Sequence, residues 1–444
     1  MVGIKGTGMS SLALALRSLG VEVSGSDSTD SFLLLDAELF TRAEITITNG
    51  FAPENIPADA DAIIASSSHT TKNVEINKAR KLKIPILTYA EMVGLLTQEF
   101  PTIAVCGSHG KTTTTNLLAH VLATGKIPLL AVAGPTSPQV LKALSPHPQW
   151  LVLEADEYEN KLKQFSPKAV VMTNVDYDHP DYFKTKAQYE KVFADFAKRV
   201  PKDGFLITCA DDLGAREVTK KTSAPVTSYG FTEGADYMIR SATNPDAGSP
   251  FILYHQGQMD GIFRTMLLGK HNILNATAVV LTARRLGLSN EQIQAGLMSF
   301  RGSPRRLQKI SEEPLIFDDY GHHPTEVRAT LEALRTAYPD KKIITVFHPH
   351  TFTRTKKFLK EFGASFGDSD QTIVLEIYGS SRETAGTVSS KHLVAEIKKH
   401  KIKAEYAATF ADAAKLLKGK LTKKTLLLTL GAGDVWKLHS LITQ

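Results

Sequence analysis

The sequence predicts an α/β protein of three parallel-sheet units, and three observations carry that prediction. Short β-branched runs alternate with amphipathic segments along the chain, the alternation that parallel strands with crossover helices require. Two Gly-rich turns each stand between an apolar run and a helical pattern, one at the start of the chain and one after Thr102. Pro- and Gly-bearing joints near Phe100–Pro101 and Gly302–Pro304 divide the chain into blocks 1–97, 98–302 and 303–444.

Composition agrees with that class. A chain of 444 residues exceeds what one core usually holds, and 42% hydrophobic with 22% charged residues is the make-up of a soluble globular protein. Cys106 and Cys209 are too few for a disulfide framework and fit a reducing interior. The start lacks a basic leader followed by an apolar block, and no apolar run approaches the ~20 residues that span a bilayer. A cytoplasmic protein without membrane insertion is expected, as a monomer or weak homodimer. The net charge of +6 comes largely from late stretches such as "AEIKKHKIKAEY" and "LLKGKLTKK". Without interleaved aromatics these lysines read as a solvated face with a mild attraction for anionic small molecules, and no nucleic-acid partner is expected.

The first block opens on "GIKGTGMSSLALALRSLGVEVSGSD". Gly3, Gly6 and Gly8 precede a helix that places Met9, Leu12, Leu16 and Leu19 on one face, with Gly20 as its stop. Asp27 follows about one β-α-β unit later, which suits a diphosphate on the turn and a ribose hydroxyl on the acid. A nicotinamide dinucleotide, and so an NAD-dependent oxidoreductase, is a rival reading. Ser11, however, stands where the dinucleotide fingerprint wants glycine or alanine, so the turn speaks for a diphosphate more firmly than for nicotinamide. The block also starts only two residues before Gly3, so its first strand reads as clipped, either by a late start codon or as a short edge.

The second block opens on "TIAVCGSHGKTTTTNLLAHVL", in the order strand, Gly107-Ser108-His109-Gly110-Lys111-Thr112-Thr113, helix. Glycines let backbone N–H groups converge on a phosphate, and the helix N-terminus adds a positive dipole. Lys111 then reaches the β/γ-phosphates and the Thr112 hydroxyl ligates Mg²⁺. Val105 replaces the first glycine of the eight-residue pattern, so this is a shortened variant.

A magnesium–nucleotide site needs further hard ligands. Glu154 in "WLVLEADEYEN" and Asn174, Asp178 and His179 in "AVVMTNVDYDHPDYF" end two apolar runs. Both fall at carboxyl ends of predicted parallel strands, where α/β sheets bind ligands. An acidic turn and a histidine helix cap are the plainer readings. In "GKHNILNATAV", His271, Asn272 and Asn275 enter a helix, with Asn272 either as N-cap or as an amide contact to a purine.

The third block predicts strands at "PLIFDD", "KIITVF", "TIVLEIY" and "TLLLTL". In "FDDYGHHPTE", Asp318, Asp319, His322 and His323 have metal-ligand spacing, but Pro324 and Thr325 start a helix with Val327, Leu331 and Leu334 on one face. His350 and Arg354 of "VFHPHTFTRT" form a positive pocket edge suited to a carboxylate or phosphate. No Ser/His/Asp or Cys/His nucleophile pattern and no CxxC zinc pattern is present.

Taken together, "GIKGTGMS", "GSHGKTTTT", "EADEYE", "TNVDYDHPDYF", "GKHNILNA", "DDYGHHPTE", "FHPHTFTRT" and "GAGD" resemble, in order and across essentially the whole chain, the Mur ligases, ATP-dependent amino-acid-adding enzymes of peptidoglycan synthesis. The resemblance implies a Rossmann-like UDP-binding domain at 1–97, a central P-loop ATPase domain at 98–302 and a mobile Rossmann-like C-terminal domain at 303–444. Within the family, "FHPHTFTRT" resembles the branch that takes UDP-N-acetylmuramate and L-alanine more than the branch that attaches a recycled tripeptide.

Carried over residue by residue, the resemblance implies ATP contacts at Gly107, Ser108, His109, Gly110, Lys111, Thr112 and Thr113. It places adenine at Asn272 and Asn275 beside His271, and Mg²⁺ on Thr112, Glu154 and His179. Gly6, Thr7, Gly8, Met9 and Ser10 would hold the UDP diphosphate, with Asp27 near the ribose and Ser66–Ser67 close by. Tyr320, His322, His350 and Arg354 would face the sugar nucleotide and alanine, with His322 as a candidate base. Arg306 and Asp319 would help close the third domain over ATP. Thr351 departs from the family pattern, which carries arginine there.

Overall fold

A computed structural model describes residues 1–29, 32, 35, 37–66, 72–241, 248–379, 383 and 386–442. The strands, in chain order, begin with β1 (Ser24–Asp27), β2 (Thr46–Asn49), β3 (Ile63–Ala65) and β4 (Ile86–Thr88). These pair in parallel as β1–β2 and β3–β4. Val2 pairs with both Ser26 and Ala65 and so bridges the two pairs, a single residue doing the work of the short first strand. The helix Thr7–Ser18 follows at once, with Met9, Leu12 and Leu16 buried on the expected face and Gly20 at φ +84° beyond its end.

The central sheet has nine strands: β5 (Thr102–Cys106), β6 (Leu129–Val132), β7 (Trp150–Glu154), β8 (Ala169–Met172), β9 (Phe205–Cys209), β10 (Val226–Gly230), β11 (Tyr237–Ser241), β12 (Ser249–His255) and β13 (Gln258–Thr265). Their order is β13-β12-β11-β10-β9-β8-β5-β7-β6. The strands from β6 to β11 run parallel, and β12 and β13 add an antiparallel edge. The three β-rich central strands, β5, β7 and β8, are apolar and buried almost end to end because helices cover both faces. Helices Lys111–Thr124 and Lys270–Arg285 pack one face of this sheet.

The third sheet holds β14 (Gln308–Glu312), β15 (Leu315–Asp319), β16 (Lys342–Phe347), β17 (Gln371–Leu375), β18 (Lys403–Ala407) and β19 (Thr425–Leu430), in the order β14-β15-β19-β16-β17-β18. All pairings are parallel except β14–β15. Helix Pro324–Ala337 buries Val327, Leu331 and Leu334 as its pattern requires. Its cap is His323, which together with Glu326 forms a capping box. The helix-start reading of "HHPTE" therefore holds, and the metal spacing of Asp318, Asp319, His322 and His323 gathers no ligand set. Asp318 instead pairs with Arg305 at 2.8 Å, and Asp319 accepts from Leu307 N and Gly321 N at 2.6 and 2.7 Å.

The chain crosses from the second sheet to the third through residues 301–307, where Gly302, Arg305 and Leu307 take positive φ of 92°, 56° and 47°. No helix among the described residues is long and apolar enough to cross a membrane. Cys106 and Cys209 are both free and buried.

Candidate active site

The turn after β5 is shaped by two glycines that admit no side chain. Gly107 sits at φ +137°, and a Cβ there would lie 2.1 Å from Thr173 Oγ1. Gly110, at φ +80°, starts the helix Lys111–Thr124, and its Cβ would lie 2.7 Å from Asn275 Oδ1. Asn174 braces the turn from the end of β8: Oδ1 accepts from His109 N at 2.9 Å, and its carbonyl accepts from Ser108 N at 3.2 Å. The Ser108 hydroxyl donates to Asp176 O at 2.6 Å.

Lys111 folds back over this turn. Its Nζ donates to Gly107 O and Ser108 O at 2.5 and 3.0 Å and to Glu157 Oε2 at 2.8 Å. Burial works against the ammonium, but Glu157, with Asp156 and Glu154, holds its pKa above the usual lysine value. Glu157 is fully buried and also accepts from Tyr189 Oη at 2.8 Å. Glu154, at the end of β7, accepts from Thr112 Oγ1 at 2.7 Å and Gly134 N at 2.6 Å. His179, at φ 54°, brings Nε2 to 3.7 Å from Glu157 Oε1 and lies tilted against the Tyr158 ring at 4.7 Å.

The third sheet supplies the facing wall. Arg306 Nη2 donates to Thr112 Oγ1 at 3.1 Å while its guanidinium lies 4.8 Å from the Tyr320 ring centre. The His322 ring stands edge-on to Tyr320 at 5.4 Å and to His350 at 5.8 Å. His322 Nδ1 has Tyr320 O at 3.2 Å and Glu326 Oε2 at 3.5 Å, both acceptors, so the proton belongs on Nδ1 and Nε2 is left as acceptor. His350 is the reverse: its Nδ1 faces Arg354 Nη1 at 3.1 Å, so Nδ1 accepts and Nε2 carries the proton. Burial and the Arg354 charge keep both rings neutral, His322 well below the usual imidazole value and His350 at about 4.

Arg354 lines the site with its charge paired. Its Nε and Nη2 meet Asp178 Oδ1 and Oδ2 at 2.9 and 3.3 Å, a buried pair that neutralises it and holds the Asp178 carboxyl well below its ordinary range despite burial. Thr351, at φ 69°, caps the short helix Phe352–Lys357 through Arg354 N.

Two cavities flank the phosphate turn, and Gly110, Arg306 and Glu326 line both. One, of about 460 Å³, runs from Thr7 of the first unit past Lys111, Thr112, Glu154, Asp178 and His179 to Tyr320, His322, His350 and Arg354 of the third. The other, of about 280 Å³, is lined by His109, Thr113, His271, Asn272, Asn275 and Asp319. Asn272 does not cap its helix, which corrects the plainer reading of that residue. Gly269 holds the N-cap position, and Asn272 Nδ2 donates to Leu268 O at 2.8 Å while Oδ1 accepts from Asn275 Nδ2 at 3.1 Å. His271 is pushed down to about 4 by burial and stays neutral. Asp319 is raised to about 6, burial outweighing the nearby Arg306.

The first turn is built differently from its sequence reading in part. Gly6 caps the helix Thr7–Ser18, leaving first-turn amides without intrahelical partners, and Thr7 reaches the larger cavity. Met9 and Ser10 turn inward instead, Met9 into the core and Ser10 Oγ to Ile4 O at 2.8 Å, because they lie on the buried face of the helix. The Asp27 oxygens are occupied by Lys5 N at 2.9 Å and by Thr29 N and Oγ1 at 3.0 and 2.9 Å. Ser66 is described, while Ser67 lies outside the described residues.

Sequence reasoning missed four residues that organise this site: Glu157, Asp176, Arg305 and Glu326. The signal for Glu326 was present, a capping-box glutamate three residues beyond His323. Arg305 reaches Asp318, Gly431 O and Gly433 O, contacts that only the fold brings together.

Residues 1–101 match the description "Mur ligase family, catalytic domain", residues 105–283 "Mur ligase middle domain", and residues 305–433 "Mur ligase, glutamate ligase domain". A UDP-N-acetylmuramate–L-alanine ligase of Desulfitobacterium hafniense is 36% identical over 442 residues, covering 98% of this chain and 97% of its own. One from Lactococcus lactis subsp. lactis is 38% identical, covering 86% and 84%. Among solved structures, a UDP-N-acetylmuramate–alanine ligase from Thermotoga maritima shares the fold with a TM-score of 0.80 at 24% identity, covering 100% of this chain and 97% of its own. A murein peptide ligase from Psychrobacter arcticus shares it at 0.70 and 21% identity, covering 100% and 97%.

Proposed function

This chain belongs to the Mur ligase family, and we propose that it joins L-alanine to the lactyl carboxylate of UDP-N-acetylmuramate at the expense of ATP, in peptidoglycan precursor synthesis. The observation that carries this reading is the larger cavity, in which all three units meet: Thr7, then Lys111 with Glu154, then His322 with His350. A carboxyl group lying there has a phosphate turn on one side and an amino-acid pocket on the other.

With boundaries at 1–97, 98–302 and 303–444, the first unit holds the UDP diphosphate on the amides of Gly6, Thr7 and Gly8. The second holds ATP, its phosphates on the backbone amides of the Gly107–Thr113 turn and on Lys111 Nζ, and its adenine beside the Asn272–Asn275 pair in the smaller cavity. The donor set at the phosphate end fits Mg²⁺: the Thr112 hydroxyl and Glu154 carboxylate are hard oxygens in mutual contact, with the His179 imidazole as a further ligand. Bound there, the ion would offset charge on the phosphates.

The reaction then runs in two steps. The lactyl carboxylate attacks the γ-phosphorus and ADP leaves, giving an acyl phosphate. Lys111 accepts the developing phosphoryl charge, since this chemistry rests on positioning and electrostatics. The alanine amine next attacks the acyl carbon and inorganic phosphate departs. His322 Nε2, an unprotonated acceptor, takes the proton that the amine must lose. His350, whose Nε2 carries hydrogen, orients the amino-acid carboxylate. Arg354 holds His350 from behind while gripping Asp178. Closure of the third unit keeps water from the mixed anhydride.

The test is phosphate release from ATP with UDP-N-acetylmuramate and a panel of amino acids and peptides. The reading requires release that depends on both the sugar nucleotide and L-alanine. Release independent of the sugar nucleotide contradicts it, and preference for a preformed tripeptide over alanine assigns the recycling branch instead.

A further inference from the structure

His109 sits in the middle of the phosphate turn, yet both of its ring nitrogens are spent on protein carboxylates. Nε2 lies 3.1 Å from Asp176 Oδ2, in the segment that follows β8, and Nδ1 lies 3.3 Å from Glu326 Oε1, in the first turn of helix Pro324–Ala337. One carboxylate belongs to the second unit and the other to the third, so the ring is a bridge between them. The bridge is reinforced on both sides. Thr325 Oγ1 donates to the same Asp176 oxygen at 2.7 Å, and the other Glu326 oxygen accepts from His322 N and His323 N at 2.8 and 3.1 Å. The His323 ring packs 4.8 Å from that of His109.

The main chain of His109 is equally constrained. Its N–H goes to Asn174 Oδ1 at 2.9 Å, and its carbonyl accepts from Thr173 Oγ1 at 2.7 Å and Asn174 Nδ2 at 3.0 Å. The turn thus fixes where the side chain begins, while Asp176, Glu326 and the His323 ring fix where the imidazole ends. In the other direction, Glu326 fixes the backbone of His322 and His323. Nε2 is hydrogen-bonded to Asp176 and Nδ1 faces Glu326 at ion-pair distance, a setting that favours the imidazolium. His109, Asp176 and His323 do bring three metal-ligand atoms within 4.8 Å of one another, but an imidazolium has no ring lone pair to offer a metal ion.

From this arrangement we infer that His109 is a positioning residue whose imidazolium makes the shape of the phosphate turn and the docking of the third unit a single event. Its partner in the third unit is Glu326, and Asp176 anchors it in the second. Arg306 to Thr112, Arg354 to Asp178 and Lys270 to Glu332 are further polar contacts across this boundary, beside packing of the Tyr177 ring on Phe358 and of Leu268 on the third unit's core. Boundaries between domains within a chain commonly permit relative motion, so directional contacts such as these select the docked geometry. The inference rests on the ligase reading only for the reaction that it serves.

The experiment uses the full chain with dyes on the second and third units for energy transfer, together with steady-state kinetics and displacement of trinitrophenyl-ATP. His109→Ala should leave trinitrophenyl-ATP affinity within about 3-fold, lower kcat by about 100-fold, and reduce the high-transfer population in the presence of ATP and UDP-N-acetylmuramate. Glu326→Gln, which keeps the capping amide acceptor, should do the same, and the double variant should be no worse than either single. His109→Ala that docks and turns over as wild type overturns the proposal. So does equal loss of nucleotide affinity and kcat, which would make His109 a nucleotide contact, and so does full additivity in the double variant. Should His109→Ala fail to give a cooperative melt, Glu326→Gln alone decides by the same readouts. If the wild type shows no turnover dependent on UDP-N-acetylmuramate and alanine, the ligase reading fails, while the energy-transfer arm still tests the bridge.

Discussion

Arg354 and Asp178 join the third unit to the second through a two-pronged ion pair, Nε to Oδ1 at 2.9 Å and Nη2 to Oδ2 at 3.3 Å, with both side chains almost fully buried. Removing one partner of such a pair strands the other charge and carries a penalty of about 3–5 kcal/mol. Arg354→Lys is expected to lower kcat/KM for L-alanine by about 100-fold, since a lysine cannot reproduce the fork. Asp178→Asn should have a similar effect although Asp178 belongs to the second unit. Steady-state kinetics with each substrate varied in turn checks this, and unchanged alanine kinetics in both variants would contradict it.

Gly107→Ala is expected to fail at the level of the loop. Its φ of +137° is one that side-chain-bearing residues rarely adopt, and the added methyl would meet Thr173 Oγ1 at 2.1 Å. The variant should bind nucleotide at least about 10-fold more weakly and melt at lower temperature, by titration calorimetry and thermal melts. Gly367→Ala, with open space around it, serves as the control and should do neither.

Lys111→Ala should abolish turnover, by at least about 1000-fold in kcat, because charge developing on the phosphoryl group loses its partner. UDP-N-acetylmuramate binding measured by calorimetry should remain close to wild type, since the first turn is a separate element. Loss of sugar-nucleotide binding in parallel with turnover would mean that the two anion sites are one.

The pH dependence of stability follows from the His109 bridge. Burial opposes its charge, but Glu326 and Asp176 hold the ring protonated up to about 10, above the ordinary imidazole value of about 6.5. A pKa raised on folding stabilises fully below about 6.5 and is lost as pH climbs through about 10. Asp176, lowered to about 2 against its burial chiefly by His109, has the opposite limb: its contribution is complete above about 4 and disappears as pH falls toward 2. The melting-temperature difference between wild type and His109→Gln should therefore be flat from about pH 5 to 6.5 and shrink steadily toward pH 10. A difference independent of pH over that range would show that the ring is not charged in the fold.

In the smaller cavity, Asn275→Leu keeps the volume and removes the amide, whose Nδ2 donates to Asn272 Oδ1. KM for ATP should rise about 10- to 100-fold, with little change in KM for alanine, because a buried polar contact to the base is lost. Equal KM for ATP in variant and wild type would remove adenine from this cavity.

What the sequence made legible was what is written locally. β5, β16 and β19 fall where the apolar runs TIAVC, KIITVF and TLLLTL predict, because strands buried on both faces read as continuous apolar stretches. The turn before Lys111 was likewise visible, since its glycines and lysine are consecutive. The strands from β11 to β13 were not, because an antiparallel edge half exposed to solvent leaves a weaker pattern. Contacts between units were the least legible part. Arg354 reads as a free cation until Asp178, 176 residues away, is placed against it, and His109 reads as one more member of a phosphate turn until Glu326 is brought from the third unit. Spacing along a chain carries no information about such long-range partners.

The most direct measurement follows oxygen. UDP-N-acetylmuramate labelled with ¹⁸O in its lactyl carboxylate, incubated with ATP and L-alanine, must deliver one labelled oxygen to each inorganic phosphate if the carboxyl group is phosphorylated before the amine attacks. Inorganic phosphate that carries no ¹⁸O, while amide is still formed, would contradict the acyl-phosphate route and with it the role given to the cavity between the three units.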